Sequence, residues 1–161
     1  MKVLVISDTH FNHANIIEYS NRPFSSVDEM NETIVKNWNG FVTNSDWVFH
    51  LGDVALGRFD VSQLNGFKIL VKGNHDSRYI REQFDISLPA IWETPRILLS
   101  HKPQTPKSGQ VNLHGHIHDG FTNHPRCFNF SVEVLNYYPA IMNMDYSEAL
   151  VEGIKQGGYI K

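Results

Sequence analysis

Three short apolar runs in the first half of the chain each stop on residues that can bind or transfer. Val3-Leu4-Val5-Ile6 ends in Ser7-Asp8-Thr9-His10, and Trp47-Val48-Phe49-His50-Leu51 ends in Gly52-Asp53. Ile69-Leu70-Val71 ends, after Lys72, in Gly73-Asn74-His75-Asp76. The later half adds His101 after Ile97-Leu98-Leu99-Ser100, and His116 and His118 in Gly115-His116-Ile117-His118. Asp8, His10, Asp53, Asn74, His101, His116 and His118 are more nitrogen and oxygen donors than one tetrahedral ion takes. They suit two ions sharing a bridge, and Asp53, alone at its strand end, is the natural bridging carboxylate. Asp8 with His10, and His116 with His118, stand at i, i+2, and in extended geometry each pair points to one side.

Histidine content supports metal. The chain has nine, and His101, His114, His116, His118 and His124 fall within 24 positions. Imidazole and carboxylate without thiolate favour manganese first, then iron, zinc, nickel or cobalt, over magnesium or calcium with their all-oxygen shells. The single Cys127 excludes an internal disulfide and a multi-cysteine zinc knot.

The elements that must position these donors follow from periodicity. Lys2 to Ser7, Asp46 to Leu51 and Phe67 to Val71 read as buried strands, with helices between them over Ala14 to Tyr19 and from the Ser26-Val27-Asp28-Glu29 capping box to about Trp38. Asn39-Gly40 is expected to end the second helix, Asp60 to cap a short one, and Ser77 to Phe84 to form another. Strand, helix, strand, helix, strand predicts a parallel sheet that carries its ligands at one edge. Arg96 to Leu99, Val111 to Leu113 and Cys127 to Leu135 read as strands of a second sheet, and Ser147 begins a last helix that stops at Gly157-Gly158.

At 161 residues, 41% apolar and 19% charged, the chain is expected to be a single domain over residues 1–161 with an ordinary soluble composition. A net charge of -3 offers no basic field for a polyanion, so the charge lends no support to a nucleic-acid partner. No basic-then-apolar leader precedes Val3 and no apolar run approaches membrane-spanning length, which predicts a cytoplasmic, non-membrane protein.

Asp8-x-His10, Gly52-Asp53, Gly73-Asn74-His75-Asp76, His101 and Gly115-His116-x-His118, in this order and spacing, resemble the calcineurin-like metallophosphoesterases. Small uncapped bacterial and phage members carry a similar start and Arg-Pro-Phe segment, as at Ser7 to His13 and Arg22 to Phe24. The resemblance implies an α/β fold, a two-sheet sandwich flanked by helices in four αββα layers. It implies Asp8, His10, Asp53 and His118 on one ion, and Asp53, Asn74, His101 and His116 on the other. His75 would contact the substrate phosphate, and Asp76 would orient His75. The reaction implied is hydrolysis of a phosphate ester by a metal-bridging hydroxide, on a small ester or nucleotide, with diesters slightly favoured. A phosphomonoesterase, a nuclease and a non-catalytic metal-binding scaffold are the alternatives.

Asn12, His13 and Arg22 are candidate phosphate or leaving-group contacts, and Arg58 and Arg78 have similar reach. Asp76 has a second reading as the cap of the helix that starts near Ser77. His50 and His114 read as supports behind the ligands, and Phe11, Tyr19 and Trp38 as packing before base-stacking.

Overall fold

The computed structural model describes residues 1–160. Its first sheet has the order β4-β3-β2-β1-β9, built from β1 (Val3–Ile6), β2 (Trp47–His50), β3 (Phe67–Val71), β4 (Ile86–Leu88) and β9 (Ala140–Ile141). β1 through β4 pair in parallel, and β9 joins the far edge antiparallel to β1. The second sheet runs β5-β6-β7-β8, from β5 (Ile91–Glu93), β6 (Ile97–Ser100), β7 (Val111–His114) and β8 (Cys127–Asn129). This is the expected α/β class with two sheets and helices.

Alternation along the strands sorts the core into two layers. Leu4, Ile6, Val48 and Leu70 face α2 (Val27–Phe41), meeting Met30, Ile34 and Trp38. Val3, Val5, Phe49 and Ile69 face the other way, onto Ile97, Leu99 and Leu113 of the second sheet. α4 (Met144–Gln156) adds Leu150 and Ile154 to that same inter-sheet cluster. α1 (Ala14–Tyr19) and α3 (Arg78–Arg81) are short pieces at the strand ends. Among the described residues no helix is long and apolar enough to cross a membrane.

Several boundaries differ from expectation, each for a local reason. α2 continues through Asn39-Gly40 to Phe41, because the Asn39 side chain is tied to Gln63 and Asn65 and does not compete for the helix backbone. α4 starts at Met144, since Asn143, and not Ser147, caps it by accepting the Tyr146 N–H at 3.0 Å. The expected helix from Ser77 to Phe84 is a single turn, Arg78–Arg81, capped by Ser77. The expected strand from Cys127 to Leu135 stops at Asn129, where the chain leaves the second sheet. It then pairs Ser131 with Ser7 at the end of β1, with the Val132 N–H donating to Ser7 O at 3.0 Å. β4, β5 and β9, of three, three and two residues, are too short to show a period and were not expected.

Candidate metal centre

The carboxylate and imidazole donors gather between the C-terminal ends of β1 and β2 and the loops after β6 and β7. Two groups form. Asp8, His10 and His118 bring their ligand atoms within 4.8 Å of one another, and so do Asp53, His101 and His116. Asp53 joins the groups: its Oδ2 lies 3.7 Å from His10 Nε2 and 3.2 Å from His101 Nε2. Asn74 sits exposed after Gly73, in the turn between these donors and His75.

The backbone reaches this arrangement in a way the extended-strand expectation did not foresee. Asp8, His10, Asp53, His116 and His118 all have positive φ, between 49° and 71°. The i, i+2 pairs therefore converge by tight left-handed turns, not by strand alternation. Non-glycine residues in this region cost of order 1 kcal/mol each, so the surrounding contacts must over-determine them. Those contacts are present: the N–H groups of Asp8 and His10 donate to Gly52 O and Asp53 O at 3.0 and 3.1 Å, lacing the first loop to the second.

Two glycines make the close approach possible. A Cβ on Gly73 would overlap Asp53 N and Oδ1, and one on Gly115 would overlap Ser7 Oγ and Asp8 Oδ2. Asp76 stitches the same region: its carboxylate accepts the N–H groups of Gly73, Asp53 and Val54 at 2.7, 3.0 and 2.8 Å. No hydrogen bond joins Asp76 to the expected partner His75 among the described residues; both carboxylate oxygens accept backbone N–H groups instead. Nor does Asp76 cap α3, which Ser77 does.

Imidazole tautomers are set by acceptor-only partners. His101 Nδ1–H donates to Leu51 O at 2.8 Å, which turns Nε2 toward Asp53. His118 Nδ1–H donates to Glu133 Oε1 at 3.0 Å, which leaves Nε2 as the free lone pair. Burial opposes charge on Asp8, but His10, His101, Ser7 and the His116 N–H hold its carboxyl well below the usual range. Burial likewise opposes a charged His101, yet the hydrogen bond to Asp53 and the two carboxylates keep it above its ordinary value. Asp8 Oδ1 and His10 Nε2 are buried without any hydrogen-bond partner. Such orphaned atoms are costly unless something charged is held there. Clustered carboxylates and imidazoles with two bare donor atoms fit a pair of divalent cations.

The other expected contacts divide. His75 stands at the mouth, its side chain 54% exposed and its Nε2 4.0 Å from Asp53 Oδ2. His13 packs against His10, with Nδ1 3.3 Å from His10 Nδ1. Arg22 does not face a substrate: it is buried, with its guanidinium bonded to Glu133 Oε1 and to the carbonyls of Asp8 and Thr9 at 2.9 Å or less. Asn12 is likewise occupied, holding Asn31 and the Arg58 carbonyl. Arg58 stacks over Tyr79, and Arg78 pairs with Glu82. Phe11 and Trp38 are core residues, whereas Tyr19 is exposed beside His13.

Sequence reasoning missed Glu133 and its neighbours. Asn129, Ser131 and Glu133 alternate with Phe128, Phe130 and Val132, and all three polar residues turn to the site. Asn129 donates to His118 O, Ser131 Oγ donates to Asp8 Oδ2, and Glu133 takes His118. That alternating polar stripe was the available signal.

Histidine and aspartate at the strand ends of a parallel sheet, joined by further histidines from the loops of a second sheet, make two clusters fit to hold metal ions. Residues 1–149 match the model of the calcineurin-like phosphoesterase family, and the chain belongs to that family. It is 37% identical to an uncharacterised protein of Methanocaldococcus jannaschii, over 99% of this chain and 95% of that one. It is 33% identical to the gene 66 protein of Mycobacterium phage L5 over a shorter stretch, 44% of this chain and 37% of the phage protein. A crystal structure of a protein of unknown function from Aquifex aeolicus superposes with a TM-score of 0.69 at 29% identity, covering 87% of this chain and 95% of that one.

Proposed function

We propose that the protein hydrolyses phosphate esters at a dinuclear divalent-metal centre, with diesters ahead of monoesters and manganese as the working metal. Asp8, His10, Asp53 and His118 would hold one ion, and Asp53, Asn74, His101 and His116 the other. The observation that carries this reading is the position of Asp53 Oδ2, within 3.7 Å of His10 Nε2 and 3.2 Å of His101 Nε2, between two donor groups. When bound, such ions would neutralise phosphoryl oxygens and make water acidic enough to deliver hydroxide near neutral pH.

The chain's own contribution is placement. His75 reaches over the mouth with its backbone fixed by the 2.9 Å bond from its N–H to Asp53 Oδ1, so its ring is free to hold a phosphoryl oxygen or to protonate the leaving group. Glu133 and Leu51 O hold two ligand imidazoles in the tautomer a cation needs. The exposure of His75 and Asn74 leaves room for a substituent on either side of the phosphorus, which supports the diester preference.

The test is turnover of bis(p-nitrophenyl) phosphate against p-nitrophenyl phosphate with added manganese. A higher kcat/KM on the diester is expected. A monoester preference would reverse that order, and bound metal without turnover of either would leave a binding scaffold.

A further inference from the structure

Beside the His101 and Asn74 side of the centre lies a cavity of about 390 Å³, lined among others by Lys72, Asn74, Ile91, His101, Lys102 and Gln104. Its walls contain no carboxylate, in a chain whose net charge is -3. Most other cations near the sheet ends are neutralised or occupied. Lys107 pairs with Glu93, Arg78 with Glu82 and Arg22 with Glu133, while Lys68 caps the carbonyls of Leu64 and Gly66. Lys72 and Lys102 make no ion pair or side-chain hydrogen bond among the described residues, although Lys102 directly follows His101 and Lys72 stands two residues before Asn74.

The backbone under both lysines is fixed. Lys72 N–H donates to Leu88 O at 3.3 Å, Ser100 Oγ–H donates to Lys102 O at 2.7 Å, and Gln104 N–H donates to Asn112 Oδ1 at 2.8 Å. Ile91, 52% exposed, supplies an apolar wall beside these charges. Two uncompensated ammonium groups and an aliphatic surface, opening onto the donors of the second ion, make a place for a charged substituent on a short carbon skeleton.

We infer that this cavity is a subsite for a second anionic group of the substrate. The substrates are then phosphate esters that carry a further carboxylate or phosphate on one substituent. The inference rests on the phosphoesterase reading: the scissile phosphate would be held by cations at the two donor groups that Asp53 joins, and the second charge by Lys72 and Lys102. Both lysines are exposed, so two charge pairs of this kind together give roughly a tenfold preference, weakened by salt.

Non-hydrolysable probes test it. ω-Carboxyalkylphosphonates with two to five methylenes are titrated calorimetrically into the manganese-loaded protein against the matching alkylphosphonates, at low and at physiological ionic strength. The carboxylated member of one pair is expected to bind about tenfold tighter, the gap narrowing with salt. Lys102→Glu should abolish or invert the gap, and Lys72→Ala should halve its logarithm. Equal affinity of every pair in the wild type would overturn the subsite while leaving the phosphoesterase reading intact. If neither series binds and bis(p-nitrophenyl) phosphate is not turned over, the phosphoesterase reading itself falls.

Discussion

Glu133 Oε1 lies 3.0 Å from His118 Nδ1 and 2.7 Å from an Arg22 Nη, so one buried carboxylate oxygen ties a candidate metal ligand to an arginine that grips the carbonyls of Asp8 and Thr9. The loop carrying Asp8 and the loop carrying His118 are thereby locked to each other. Burial raises the Glu133 carboxyl, but His118 and Arg22 outweigh it and hold the group below its ordinary value, ionised. Glu133→Gln keeps the shape but can present an N–H to His118, turning the imidazole to the wrong tautomer. Metal affinity at the Asp8-His10-His118 group is expected to fall 10- to 100-fold by manganese titration calorimetry, with the other group less affected.

Asp76→Asn tests the stitching role. The carboxylate accepts three backbone N–H groups, and an amide must turn a donor toward at least one of them. A loss of about 1–3 kcal/mol in chemical denaturation of the metal-free protein is expected. Had Asp76 only oriented His75, metal-free stability would be unchanged and kcat alone would move.

His75→Ala separates chemistry from metal binding. The imidazole is exposed at the mouth and belongs to neither donor group. Two equivalents of manganese should still bind, by elemental analysis after gel filtration, while kcat drops by roughly 10²- to 10⁴-fold. An unchanged kcat would remove His75 from the reaction.

Much of this site was legible because its residues interrupt apolar runs: a strand that stops on aspartate, asparagine or histidine leaves an anomaly a period count detects. Asp8, Asp53 and His101 stand out that way. What was not legible is where polar side chains spend their hydrogen bonds. Arg22 and Asp76 look alike in sequence whether they face a ligand or the protein, and only their partners 14 and 22 residues away assign them to the wall. The short strands β4, β5 and β9 escaped because two or three residues carry no period, and α2 outran Asn39-Gly40 because tertiary ties overrode a local stop signal.

Gly115→Ala probes how tightly the loops are pressed together. A methyl there meets Ser7 Oγ and Asp8 Oδ2, and the Asp8 oxygen cannot withdraw freely, because Ser131 Oγ–H and the His116 N–H both hold it. Overpacking of this kind costs about 1–3 kcal/mol. It should also shift Asp8 enough to drop metal stoichiometry from two ions to one, whereas Gly40→Ala, whose Cβ meets nothing and whose φ is not positive, should keep both.

His50 gives the clearest pH signature. It lies fully buried beneath the loops, where Nδ1 accepts the Gly52 N–H at 3.2 Å and Nε2–H donates to Thr9 Oγ1 at 3.0 Å; Thr9 passes its own proton to Val54 O at 2.8 Å. Every partner is satisfied by a neutral ring, and burial pushes its pKa down to about 3 from 6.5. The unfolded chain takes up this proton as pH falls through 6.5, and the folded chain does not until about 3. Stability from His50 is therefore fully present above 6.5 and is lost progressively toward 3, about 2 kcal/mol of it by pH 5. Urea denaturation with a chelator present, at pH 7.5 and 5.0, keeps metal release out of the comparison. His50→Gln, whose amide can accept from Gly52 and donate to Thr9 without titrating, should have a pH dependence shallower by that amount; an identical slope in both proteins would mean that folded His50 takes up its proton over the same pH range as the unfolded chain.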